Sequence, residues 1–306
     1  MTPAARPDPL PMTHQTTTAA NPASTRYPRE WRWPNGAKIA VTVGIAFEAF
    51  ERHSQITLEK TDNKVDHFSL SYAEYGAKSG IWRLLDLLDA SDIKSVVSTN
   101  GLAAERYPQA TRAVVDAGHE LGGHAWANDV LMRDDDPEAE LAEIRRCTEI
   151  LTQVGGQRPL GWTSPGSAGY ANTLRFLKEQ GYLWNADDAS DDLPFIKDTA
   201  AGPMVITPRT NLPQNDLWMW VFGKNPPGII WDGFQASFDE LYREGEAGSP
   251  KWVEITLHAH YAGRPTLIPT IRKCLAYARS HADVWFATKT ELAQWTLAQS
   301  GRGAAS

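Results

Sequence analysis

The sequence predicts an α/β protein in which a parallel sheet closes, or nearly closes, into a barrel. Repeated β-α units carry that expectation, and one further observation places the site. Apolar runs rich in β-branched residues alternate with segments of helical spacing, and the first such run ends in acid, at Glu48 and Glu51. In parallel sheets and barrels, residues just past the carboxyl end of a strand face the active site. With 306 residues and 42% hydrophobic content the chain can bury a large core, and α/β barrels of this size form one domain. One catalytic domain over 27–300 is expected.

Residues 1–26 are rich in Pro, Ala and Thr and lack a basic start followed by an apolar run. They read as an extended or disordered leader, not a signal peptide. The turn Pro34-Asn35-Gly36 introduces residues 38–47, a strand of the kind covered on both faces. Ile81, Leu84, Leu85 and Leu88 have helical spacing. A strand follows at 93–99, then a helix from about Tyr107 to Ala117. Asp136-Pro137 supplies a cap and a first-turn proline for a helix ending at Gly155-Gly156. Further helices fit 171–180 and 268–279, the first followed by an apolar run at 182–184, and strands fit 252–257 and 284–287. Thr288 with Glu291 is a capping box for the last helix. Residues 202–232 hold too much Pro, Gly and Asn for a regular β-α unit, so they read as an excursion over the barrel mouth. Its tryptophans would be odd on a free surface, which suggests a homo-oligomer with the excursion near the interface.

A net charge of −7 gives no basic footprint for nucleic acid or an anionic membrane, and no apolar run could span a bilayer. Small molecules or copies of the chain are the expected partners. Cys147 and Cys274 each sit in a helical segment without zinc-site spacing, as free core thiols of a cytoplasmic protein would.

The stretch 118–128 packs glycines around His119 and His124 and ends in Trp126 and Asn128. It reads as a short strand delivering side chains to a pocket edge; the alternative for His119 is a solvated cap. Glu48 is a candidate catalytic carboxylate, or the start of a loop. Twelve tryptophans are many for this length, and some are candidates to line a cavity.

These residues resemble the polysaccharide deacetylase superfamily (NodB-like), specifically its allantoinase and cyclic-imide hydrolase branch. The resemblance covers about 27–297. Phe47-Glu48 sits where the family has Thr-Phe-Asp-Asp, and residues 74–83 are similar to a Glu-Tyr-Gly-Ser-Arg-x-Gly-x-Trp-Arg signature of that branch. Residues 118–128 resemble Gly-His-Glu-Ile-x-x-His-x-x-x-His. Arg158 to Trp162 and Asp191-Asp192-Leu193-Pro194 resemble a third motif and the turn beyond it, and Leu257-His258 falls at the family's Leu-x-His. The implied fold is a distorted seven-stranded (β/α) barrel.

The departures are informative. The family's metal-binding aspartate and second histidine fall at Ala49 and Asn128, leaving His124 as the one matching ligand. Alanine ligates nothing and an amide is a poor zinc ligand, so no metal is expected; Zn2+ or another divalent ion through other ligands is the alternative. Glu48 could serve as base if burial raises its pKa toward neutral, with His124 and His258 as acid or oxyanion partner. Trp126 and Trp162, with Trp184, are candidates to sandwich a flat ring, and Asn128, Arg158, Asp187, Asp192 and His260 to supply polar contacts. The alternatives are core packing for each tryptophan and a turn for Asp192. The expected activity is hydrolysis of a C–N bond in a small cyclic amide: an imide, a hydantoin or a ureide such as allantoin. The alternatives are a metal-dependent N-deacetylase of an acetylated saccharide and a non-catalytic ring binder.

Overall fold

The computed structural model describes residues 31–56, 65–130, 136–209 and 214–301; the expected leader over 1–26 lies outside them. The chain begins with β1 (Ile39–Phe47), the hub of the sheet. Helices α1 (His67–Tyr75) and α2 (Ile81–Ala90) lead to β2 (Val96–Thr99). Helices α3 (Gly101–Arg106) and α4 (Pro108–Asp116) precede β3 (Glu120–Gly123), and α5 (Pro137–Gly155) precedes β4 (Gly161–Trp162). Helix α6 (Thr173–Glu179) is followed by β5 (Trp184–Asn185), β6 (Phe195–Thr199) and β7 (Gly202–Ile206). The last units are α7 (Ile229–Glu246), β8 (Lys251–His258), α8 (Ala259–Ala262), α9 (Ile268–Arg279), β9 (Val284–Phe286) and α10 (Lys289–Gln299).

Seven strands run parallel in the order β7-β5-β4-β3-β2-β1-β8, and the sheet curls into a half-barrel. This accounts for the expected seven strands. Two more are added: β6 pairs antiparallel with β7, and β9 pairs with the start of β1. The barrel is not closed by strand pairing: among the described residues β7 and β8 do not pair, and β8 is met on that side by an isolated bridge from Asn215, in the excursion beyond β7, to Thr256.

The period of two along the strands sorts the hub. On β1, Val41, Val43, Ile45 and Phe47 join the main apolar core, as do Val253, Ile255 and Leu257 on β8. Their alternates, Gly44, Ala46, Glu48, Glu254, Thr256 and His258, line the inner side of the half-barrel. Caps act where the sequence places them. The Asp136 carboxylate accepts from the Ala139 amide, Gly156 ends α5 in the left-handed region, and Thr288 with Glu291 completes a capping box on α10. The excursion is more regular than expected. Its first residues are β7, its last begin α7, and a π-helical turn, Leu217–Phe222, lies between. No helix among the described residues is long and apolar enough to cross a membrane. Both cysteines are buried and free.

Candidate active site

Glu48 leaves β1 at its carboxyl end, as an acid there should, and is 5% exposed. Three imidazoles surround its carboxylate. His124 Nε2 lies 3.3 Å from Oε1, His258 Nε2 lies 3.8 Å from the same oxygen, and His260 Nε2 lies 3.9 Å from Oε2. The histidines come from the loop after β3, the end of β8 and the start of α8, brought together by strand order.

Each ring is oriented by its other contacts. His124 Nδ1 donates to the Thr163 carbonyl at 2.5 Å, turning Nε2 toward Glu48. His258 Nδ1 donates to Asp216 Oδ1 at 2.6 Å, while the His258 amide donates to Asp216 Oδ2 at 2.8 Å. His260 Nε2 donates to Gln55 Oε1 at 3.2 Å, and Gln55 Nε2 donates to Glu48 Oε2 at 2.8 Å. Asn100 ties the strand ends together: its Oδ1 accepts from the Ala49 amide and its Nδ2 donates to the His124 carbonyl.

Burial opposes the charge on Glu48, but His258, His124 and His260 outweigh it and bring its pKa down to about 2. This corrects the expectation of a carboxyl raised toward neutrality. A hydrophobic pocket alone would raise it; three neighbouring imidazoles reverse the sign. Burial also disfavours the His258 cation, yet Asp216 and Glu48 prevail and its pKa is raised. For His260 burial wins, and its pKa falls to about 3.

The Glu48 cluster opens into a cavity of about 440 Å3. Trp184, Leu217, Trp218 and Phe222 give it apolar walls, and His124, Asn128, Asp187 and His258 reach its surface. Its floor is an ion pair, Lys289 Nζ to Glu254 Oε1 at 2.7 Å, with both side chains almost fully buried. A side chain at Gly44 would place Cβ 2.5 Å from Glu254 Oε1, so this position needs glycine. Asp187 holds the rim: it accepts from the Ser164 amide and hydroxyl and from Asn185 Nδ2.

Several expected contacts lie elsewhere. Trp126 packs on Gly101, beneath Arg146, whose Cζ is 3.2 Å from the ring centroid. Trp162 is fully buried between Gly123 and Tyr182. Both tryptophans point to the helix side of the sheet, away from the cavity. Arg158 is exposed and donates to the Gln180 carbonyl, while Asp192 belongs to the turn before β6; neither lines the cavity. His260 is behind Glu48, not on the cavity surface. His119 is no solvated cap: it is 4% exposed, and its Nδ1 accepts from the Ser95 amide. Sequence reasoning missed Gln55, Asn100 and Asp216 as site residues. Asp216 left a trace, as an acid amid turn residues and aromatics of the excursion.

The residues present do not fit the metal that the family resemblance implies. Ala49 offers a methyl where a ligand would stand, and Asn128 Oδ1 is buried without a partner among the described residues. No group of three His, Cys, Asp or Glu among the described residues is arranged to hold a metal ion.

The chain has the polysaccharide deacetylase fold, and residues 62–184 match the family model described as polysaccharide deacetylase. The chain is 28% identical over 301 residues to a protein of Schizosaccharomyces pombe named "Putative polysaccharide deacetylase", covering 86% of this chain and 91% of the relative. A solved structure named Puue allantoinase is 28% identical with a TM-score of 0.80, over 89% of this chain and 94% of that one. A probable polysaccharide deacetylase from Pseudomonas aeruginosa PAO1 is 28% identical with a TM-score of 0.79, over 89% and 95% of the two chains. The fold supports a hydrolase acting on amide bonds.

Proposed function

We propose that the chain hydrolyses a C–N bond in a small cyclic amide, an imide, hydantoin or ureide, without the divalent metal of related deacetylases. One observation carries the reading: Glu48, His124 and His258 converge on a partly apolar cavity that Asn128 also lines, and Asn128 and the buried Ala49 stand at the sequence positions where metal ligands would be needed. Activated or strained ring carbonyls ask less of a catalyst than an N-acetylated sugar, and acid-base groups alone contribute typically about 100- to 10,000-fold each. The solved allantoinase, 28% identical, supports a ring substrate.

In this mechanism the ring lies against the apolar wall of Leu217, Trp218 and Phe222, with its scissile carbonyl between the imidazoles. Water attacks the carbonyl carbon as Glu48 takes the water's proton, and His124 Nε2 faces the developing oxyanion. His258, whose cationic form Asp216 and Glu48 favour, gives its proton to the ring nitrogen as the C–N bond breaks. A low pKa makes Glu48 a weak base while it touches three imidazoles.

The test is a turnover screen of hydantoin, allantoin, cyclic imides and chitin oligomers, with and without a chelator. Ring opening that persists in chelator supports the reading. Turnover of chitin oligomers alone, abolished by chelation, replaces it with metal-dependent deacetylation.

A further inference from the structure

Among the described residues, the basic side chains on the cavity wall face carboxylates, save one. His124 faces Glu48, His258 is held by Asp216, and Lys289 pairs with Glu254 at the floor. Arg209 lines the same cavity, half-buried, and makes no ion pair with a carboxylate among the described residues. Its Nη1 donates to the Ser167 hydroxyl at 2.7 Å. The adjacent acid is engaged elsewhere, since Asp188 Oδ2 takes Lys197 Nζ at 2.7 Å.

The guanidinium is also placed deliberately. Its backbone amide donates to the Asp188 carbonyl at 2.6 Å. Ser167, which receives Nη1, sits at φ 57° after Gly166 at φ 62°, in a turn whose first residue, Ser164, is bound by Asp187. A chain of contacts thus runs from Asp187 through the turn to Arg209. A guanidinium presents five N–H donors in a planar fork suited to carboxylates, and inside a partly apolar cavity such a pairing strengthens.

We propose that Arg209, steadied by Ser167, is an anion subsite, so that the preferred substrate is a cyclic amide bearing a carboxylate away from its scissile bond. The inference rests on the cyclic-amide reading above and names the substrate class within it. Arg209 orients the ring, so that its tail, and not its scissile carbonyl, is bound by the guanidinium.

The experiment titrates the intrinsic tryptophan fluorescence of the intact chain with hydantoin-5-acetic acid and with its neutral carboxamide, since Trp184 and Trp218 line the cavity. The wild type is expected to bind the acid about 10- to 100-fold more tightly, the worth of a charge-assisted pair. Arg209→Gln brings the ratio to one and Arg209→Lys retains part of it, with thermal unfolding confirming that both fold. Equal binding of acid and amide by the wild type, or binding of neither, overturns the subsite, as does a preference that survives Arg209→Gln. Turnover is scored separately. Preference without ring opening leaves the subsite standing and removes the proposed reaction; ring opening without preference does the reverse.

Discussion

Asp216→Asn is the most searching perturbation of the site. Asp216 is 1% exposed and its two oxygens take the His258 amide at 2.8 Å and His258 Nδ1 at 2.6 Å. Asparagine keeps the shape but has one acceptor oxygen where two donors converge. Either the His258 amide loses its partner, or the side-chain NH2 faces Nδ1 and drives the ring to the other tautomer. Losing a buried hydrogen bond to a charged group costs about 1.5–3 kcal/mol, and with the general acid misprotonated kcat/KM should fall about 100- to 10,000-fold. The pH profile carries a second signature. Burial pushes the His258 pKa down, and Asp216 with Glu48 raises it on balance, so removing Asp216 shifts the alkaline limb of kcat/KM to lower pH. The linkage has a definite sign. A histidine raised above its unfolded value of about 6.5 contributes stability fully present below that value and lost as pH rises through the folded pKa. The Asn variant is thus more destabilised, relative to wild type, at acid pH than at alkaline pH. Steady-state kinetics across pH and urea unfolding at both ends check this. An unchanged kcat/KM with an unmoved alkaline limb would refute the role of Asp216 in setting His258.

Glu48→Gln should lower kcat by about 100-fold or more while thermal unfolding stays cooperative; wild-type turnover in this variant removes Glu48 from the mechanism. Acid should destabilise the fold in steps. His119 and His260, lowered to about 4 and about 3, hold stability present above an unfolded value of about 6.5 and lost as pH falls through those values. Glu48, lowered to about 2, adds a loss beginning below about 4.5. Urea midpoints should therefore decline from neutral pH downward, and a flat profile contradicts the burial of these histidines. The double variant Ala49→Asp with Asn128→His should bind Zn2+ measurably by calorimetry while the wild type should not; equal binding by both contradicts the ligand-loss argument. Gly44→Ala forces Cβ against Glu254 Oε1 at 2.5 Å and should cost about 1–3 kcal/mol, read as a lower urea midpoint. Light scattering should find a homo-oligomer, Trp218 being 52% exposed beside the cavity mouth; a monomer ends that expectation.

Local chemistry was legible along the chain. Asp136 and the Thr288–Glu291 pair cap helices within a few residues of themselves, and an apolar run covered on both faces can only be an inner strand. Glu48 was legible for the same reason, as the acid ending that strand. The glycines at 122 and 123 made β3 recognisable as a strand under close packing, and Trp162 does lie on Gly123. What tertiary structure alone decided depends on partners far apart in sequence. Strands of two residues, β4 and β5, exist only through their neighbours in the sheet. Which tryptophan meets the cavity follows from which side of the sheet it leaves, so Trp184 lines it while Trp162 points into the helix layer. The charge state of Glu48 is a contest between burial and three imidazoles contributed by β8, α8 and the loop after β3. Residue types named the groups that could react; the curl of the sheet set their distances, and the distances fixed the sign of their pKa shifts.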